Sequence, residues 1–285
     1  MTYNDPITSP SNYFNLPPMS DFFKHKRIWI TGASSGIGES LANAFAECGA
    51  HLILSARNEQ ELNRVAAECA GAGAASVIVQ PLDLAQHDQI PLIAVQILKR
   101  VGKLDILINN GGVSQRALAR DTTLEVDKKI MNINFFGTVA LTKAVLPSML
   151  THQLGHIVTI TSLTGKFGSP LRSSYAASKH ALHGFFDSLR AELGNTPIKI
   201  TLVCPGFVHT NVSMNALTGE GAKLNKMDDA TGKGMEPGIL AQKILRAVEN
   251  GKEEIWVGGK EVLAVYLKRF FPGYFSRLIK KAKVT

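Results

Sequence analysis

A strand that runs straight into a glycine cluster and then into a helix constrains this chain more than any other stretch. Arg27-Ile-Trp-Ile-Thr31 is short and apolar, Gly32-Ala-Ser-Ser-Gly36-Ile-Gly38 follows at once, and a helix from Glu39 to Cys48 ends at Gly49. Such a unit aims backbone N–H groups and a helix N-terminus at one point, which suits a phosphate. Glycine belongs there because a Cβ would hold the ligand off. The spacing is G-x-x-x-G-x-G, not the G-x-G-x-x-G of the common dinucleotide fingerprint. A plain glycine turn is the competing reading.

The chain beyond that unit alternates in the same way. A strand His51–Ser55 is followed by a helix 59–70, a strand 76–80, a helix 87–101 and a strand 104–108. A long helix to about Leu150 opens at Thr122 and Glu125, spaced as a capping box. Strands 157–161, 198–203 and 254–257 come after it, separated by helices 173–193 and 237–250. Strands alternating with helices over short connections predict an α/β fold, a single doubly wound parallel sheet of Rossmann type with helices on both faces. Ligands in such sheets sit beyond the carboxyl ends of the strands. The glycine loop, Arg57, Asp83, Asn109 and Ser162 all fall at such ends.

About twenty residues past the glycines, an NAD-binding fold usually places a carboxylate on the ribose 2′-hydroxyl. Here the strand runs out into Ala56-Arg57-Asn58, with no acid and a guanidinium available for a 2′-phosphate. NADP(H) is therefore the expected cofactor, unless Arg57 is only a solvated loop residue.

Tyr175-Ala-Ala-Ser-Lys179 supplies the chemistry. The segment 173–193 has helical periodicity through Ala181, Leu182, Phe185, Phe186 and Leu189, which puts Tyr175 and Lys179 one turn apart on one face. A phenol titrates near pKa ~10, and a nearby ammonium would favour its ionised form. Ser162, thirteen positions earlier at the end of an apolar strand, is placed to share a carbonyl oxygen with the tyrosine. Asn132 and Asn134 lie among Ile130, Met131, Ile133, Phe135 and Phe136, where a buried amide needs partners. A structural role and a reach into the site are equally open for them. His180 and His183 share a helix face, but no acid or cysteine lies near them in sequence, so no metal site is expected.

Bulk properties narrow the class. A 45% hydrophobic, 19% charged chain of 285 residues has a sizeable core, and it holds no run of eighteen uncharged apolar residues. Cys48, Cys69 and Cys204 are widely spaced, as reduced thiols of a cytoplasmic protein would be. Of the net charge of +8, residues 260–285 hold seven Lys/Arg against Glu261, a net of +6 that leaves +2 for the rest. A nearly neutral body argues against nucleic acid as partner. We expect a polar N-terminal arm (1–26) without a signal peptide, whose Tyr13, Phe14, Phe22 and Phe23 pack locally. A catalytic domain (27–258) with a substrate loop at about 209–235 follows, then a basic amphipathic tail (259–285). That tail suits an anionic membrane surface, a pocket lid or a subunit interface.

Taken together, Thr31-Gly-Ala-Ser-Ser-Gly-Ile-Gly38, Asp83, Asn109-Asn-Gly-Gly112, Ser162 with Tyr175-x-x-x-Lys179, and Pro205-Gly206 resemble the classical short-chain dehydrogenase/reductase family from Arg27 to Val257. Gly111 stands where the family commonly has alanine. The stretch Asn109 to Leu118 looks like the branch containing dehydrogenase/reductase member 7. Animal members of that branch have an N-terminal membrane anchor that we do not read here, so membrane attachment does not carry over.

The resemblance implies catalytic roles for Ser162, Tyr175 and Lys179, with Asn134 supporting a water-borne proton relay. It implies cofactor contacts at Gly32, Ser34, Ser35, Gly36, Ile37, Gly38, Arg57, Asp83, Leu84, Asn110, Gly111, Tyr175, Lys179, Pro205, Gly206, Val208 and Thr210. It also implies a homodimer or homotetramer built on the helices around Asn134 and Tyr175. The expected activity is NADP(H)-dependent hydride transfer between nicotinamide C4 and a carbonyl or alcohol carbon, with an apolar small-molecule substrate. The alternatives are a 3-oxoacyl-acyl-carrier-protein reductase and, from another class, an NADP(H)-sensing protein without turnover.

Overall fold

Arg27–Thr31 (β1) is an inner strand of a seven-stranded parallel sheet, and its neighbours show how the chain winds. It pairs with His51–Ser55 (β2) on one side and Ile106–Asn109 (β4) on the other. Ser76–Val79 (β3) closes the first edge, while His156–Ile160 (β5), Lys199–Pro205 (β6) and Glu254–Val257 (β7) extend the other, giving the order β3-β2-β1-β4-β5-β6-β7. The strands come from a computed structural model that describes residues 21–282. Tyr13, Phe14 and Lys283 lie outside the described residues. The inner strands are buried on both faces, which is why they read as unbroken apolar runs instead of alternating ones.

Helices cover the two faces as the alternation predicts. Gly36–Glu47 (α1), Glu59–Gly71 (α2) and a later helix, Pro237–Glu249, fill one core with Phe45, Leu62, Val65, Leu240, Ile244 and Val248. Phe23 joins it with its ring edge-on to Phe45, so the last residues of the expected arm are packed into the body. Gln89–Val101 (α3) and the helices described next fill the opposite face with Ile90, Ile97, Leu141, Val145 and Phe186.

The long helix expected from Thr122 to Leu150 is not uniform. It runs as Leu124–Met131 (α4), a π-helical stretch Asn132–Gly137 and Thr138–Thr151 (α5). The capping box is not formed: Thr123 is the cap residue, without a side-chain bond, and Thr122 Oγ1 donates instead to the Leu118 carbonyl at 2.8 Å. The wider turn ends at Gly137, which passes Leu84 so closely that a Cβ would lie 2.3 Å from its carbonyl oxygen. By length and composition, 124–151 is apolar enough to cross a membrane, but its inner face packs against α3 and Ser173–Glu192 (α6).

The polar stretch after β6 holds one short helix, Asp229–Gly232 (α7), before Pro237–Glu249 (α8). The tail folds into Leu263–Phe270 (α9) and Pro272–Ile279 (α10), with Pro272 at the start of the second. Val265 and Phe275 seat both helices on Leu163, Phe167 and Cys204.

Candidate active site

The carboxyl ends of β1, β2, β4, β5 and β6 open into one cavity of about 900 Å³. Its floor begins at the glycine loop. Gly32 has φ +64°, and a Cβ there would meet Gly111 Cα at 2.8 Å, so the loop after β1 and the loop after β4 can touch only without a side chain. Asn110 locks the contact: its Nδ2 donates to the carbonyls of Thr31 (3.0 Å) and Gly32 (3.2 Å). Thr31 Oγ1 accepts from the backbone N–H of both Asn110 and Gly111 at 3.0 Å.

Gly32, Ser34, Ser35, Gly36, Ile37, Arg57, Asp83, Leu84, Asn110 and Gly111 all line this cavity, as do Pro205, Gly206, Val208 and Thr210. Gly38 does not. It sits behind the loop, where a Cβ would lie 2.1 Å from the Gly32 carbonyl oxygen, so its work is to let the helix close on the loop. Arg57 follows β2 at the exposed rim, and Asp83 holds its own turn by accepting from Ala85 N–H at 2.9 Å. Asn109 points away from the cavity, donating to Thr142 Oγ1 at 3.0 Å. A glycine-lined cradle at a helix N-terminus, with a guanidinium beyond it, fits a dinucleotide.

Ser162, Tyr175 and Lys179 line the same cavity. Ser162 Oγ hydrogen-bonds with the Tyr175 hydroxyl and accepts from Thr164 Oγ1 at 3.0 Å. Lys179, buried one turn along α6, places Nζ 5.6 Å from the Tyr175 ring centre and donates to the Ile160 carbonyl at 2.9 Å. Burial lowers that ammonium to about 8, with Cys204 opposing.

Burial also raises the Tyr175 phenol, and this is the larger effect. Arg172, the Ser162 hydrogen bond and Arg116 pull it back, in that order. Lys179 Nζ donates to the Ile160 carbonyl, and Arg172 and Arg116 are further cations that favour the ionised phenol.

Those arginines were not among the residues expected from sequence. Arg116 and Arg172 are both buried against Asp228, at 2.8 Å from Arg116 Nε and 3.4 Å from Arg172 Nη2. Arg172 also stacks over Phe207 at 5.6 Å. Burial and then Arg116 lower Arg172 to about 10. Nothing local in sequence pairs Arg116 with an acid 112 residues away.

Asn134 stands one layer behind the wall. Its Nδ2 donates to the Val113 carbonyl (2.9 Å) and Ser178 Oγ (3.0 Å), and its Oδ1 accepts from Val113 N–H (2.8 Å). The side chain is thus a clamp between the β4 loop and α6, and it does not line the cavity.

His183 gains through the fold the partners it lacks in sequence. Nε2 is 3.7 Å from Cys204 Sγ and Nδ1 is 3.7 Å from Glu254, itself paired with Lys166 at 2.8 Å. One ligand atom from each of His183, Cys204 and Glu254 lies within 4.8 Å of the others, a grouping that could hold a metal ion and that the sequence spacing did not suggest, although Glu254 is also paired with Lys166.

Residues 26–221 match the family model for short chain dehydrogenase. The chain belongs to the short-chain dehydrogenase family. Its relatives place it further: it is 46% identical to the Drosophila melanogaster dehydrogenase/reductase SDR family protein 7-like, over 90% of this chain and 80% of that one. It is 42% identical to the Bos taurus dehydrogenase/reductase SDR family member 7B, over 92% and 82%. The chain is thus an SDR oxidoreductase of the member 7 branch, as its motifs implied.

Solved structures share the fold. A Burkholderia phymatum short chain dehydrogenase/reductase in complex with NAD superposes with TM-score 0.79 at 24% identity, covering 90% of this chain and 96% of that one. A Thermococcus sibiricus alcohol dehydrogenase complexed with 5-hydroxy-NADP gives 0.71 at 24% identity, over 83% and 97%. Nicotinamide dinucleotides are the cofactors of this family, and both forms occur among these neighbours.

Proposed function

We propose that the protein is an NADP(H)-dependent carbonyl reductase of an apolar small-molecule substrate. The observation that carries this reading is the meeting of Ser162, Tyr175 and Lys179 in the same cavity that the glycine loop and Arg57 line. When bound, the nicotinamide supplies or accepts the hydride.

Tyr175 Oη and Ser162 Oγ would hold one carbonyl oxygen between them. A phenol raised by burial stays protonated at neutral pH, which suits an acid that delivers a proton to a developing alkoxide. Ser162 hydrogen-bonds the same oxygen, and Arg172 and Arg116 favour negative charge beside it. Lys179, fixed by Ile160, adds a cation behind the phenol. Arg57 at the rim would pair with a 2′-phosphate, where an NAD-specific relative would need a carboxylate. Asn134 acts as a positioning residue through Val113 and Ser178.

Assembly as a homodimer or homotetramer is supported by Leu124 and Phe136, which stand 59% and 48% exposed on the α4–α5 stretch. A cytoplasmic setting is supported by three free cysteines.

The test is oxidation of NADPH beside NADH by purified protein over apolar ketones, aldehydes and quinones. NADPH consumption with a carbonyl is expected. Tight NADPH binding without consumption across the panel would favour the sensing alternative.

A further inference from the structure

The two tail helices are apolar on both sides, and only one side is used by the body. Inward, Val265 and Phe275 complete the small core around Phe167 and Cys204. Outward, Leu263, Tyr266, Phe270, Phe271, Tyr274 and Leu278 lie open to solvent, with Phe270 at 67% and Phe271 at 62% exposure. These are six of the thirteen large exposed hydrophobics among the described residues, gathered within sixteen positions of the chain. A patch that dense is a contact surface.

Its charge says what it contacts. Lys260, Lys268, Arg269, Arg277, Lys280 and Lys281 are all exposed around it, against Glu261 alone. A second copy of the chain laid on this face would bring the same cations together. An anionic bilayer answers both features, since aromatic side chains enter the headgroup boundary while lysine and arginine meet lipid phosphates and carboxylates. Each helix has eight residues, or ~12 Å at ~1.5 Å per residue, so neither can span and both would lie in the surface plane.

The patch adjoins the active site. Ala264, Ile279 and Ala282 of the tail line the same cavity as Tyr175. We propose that the outer face of α9 and α10 seats the protein on an anionic lipid bilayer, with the tail edge of the cavity beside the lipid. Vesicle partitioning is independent of turnover, so this proposal and the catalytic reading stand or fall separately.

Deleting the tail is a poor test, because Val265, Phe275 and Glu261 belong to the body's packing. The outer residues can be changed instead. Full-length protein is sedimented with vesicles of phosphatidylcholine alone and of phosphatidylcholine with phosphatidylserine. Binding is expected only with phosphatidylserine, and it should fall with added salt. Lys268→Ala with Arg269→Ala should lower the partition coefficient about thirty-fold, at roughly a kilocalorie per cation. Phe270→Ser with Phe271→Ser should lower it at least as much. Unchanged reduction of a water-soluble carbonyl would show both variants folded, and thermal melting gives the same control without turnover. Three results overturn the proposal: the intact protein stays in the supernatant with both vesicles, it binds both equally, or the phenylalanine variant dissociates an oligomer in lipid-free sedimentation velocity.

Discussion

Arg116 Nε and the Asp228 carboxylate lie 2.8 Å apart although 112 residues separate them in the chain. Asp228 also faces Arg172 and accepts from Thr231 Oγ1 at 3.3 Å, so one buried acid ties the loop before α7 to the β4 loop and the start of α6. Breaking such a pair leaves an uncompensated buried charge. Asp228→Asn should therefore destabilise the fold by about 3–5 kcal/mol, read from chemical denaturation. A loss under ~1 kcal/mol would mean that the loop is held elsewhere.

Tyr175→Phe removes the proton donor and keeps the ring beside Lys179. Carbonyl reduction should fall by about 10²–10⁴ in kcat while NADPH affinity, measured by fluorescence, stays nearly constant. Retained turnover would remove Tyr175 from the chemistry.

Arg57 projects from the rim with no role in the packed core. Arg57→Ala should raise the Kd for NADPH about tenfold or more and leave that for NADH almost unchanged, by calorimetric titration. Equal losses would show that the rim does not read a 2′-phosphate.

The pH profile of reduction should carry the mark of Lys179. Its folded value of about 8 is below that of a free lysine, so the ammonium is present at neutral pH and lost as pH rises through 8. Reduction measured as kcat/KM should decline above that point, and Lys179→Arg, which stays charged, should shift the decline upward if it supports turnover. A profile flat to pH 10 would contradict this.

Stability should respond to acid through His156. Burial holds its ring near 4, against 6.5 for a free histidine, with Thr201 Oγ1 at 2.8 Å. A folded value below the unfolded one means that the unfolded state binds the extra proton between those limits. Stability on this account is whole above about 6.5 and falls by about 3 kcal/mol as pH drops to 4. His156→Gln should flatten that slope in denaturant titrations. An unchanged slope would assign the acid sensitivity to other groups.

The sheet was legible because its signals are local. Strand β1, the glycines and α1 are contiguous, and Tyr175 and Lys179 share a face by helical spacing alone. Features made by distant residues were not. The cap predicted at Thr122 lost to the Leu118 carbonyl, a choice set by how the chain arrives from the β4 loop. Asn134 was even between structure and site until Val113 and Ser178 claimed its amide. Arg116 with Asp228, and His183 with Cys204 and Glu254, exist only once the strands are aligned. In the tail, the basic aromatic pattern predicted an amphipathic segment, but which residues turn inward depended on Phe167 and Cys204.

Glu261, the lone acid of that tail, accepts from Phe207 N–H at 3.3 Å and lies over Gly206, where a Cβ would come within 2.2 Å of its carboxylate. The last segment of the chain and the loop after β6 thus share one contact. If lipid contact displaces the tail at Glu261 and so changes the affinity of the cavity for its occupant, that occupant must change the lipid affinity by the same factor.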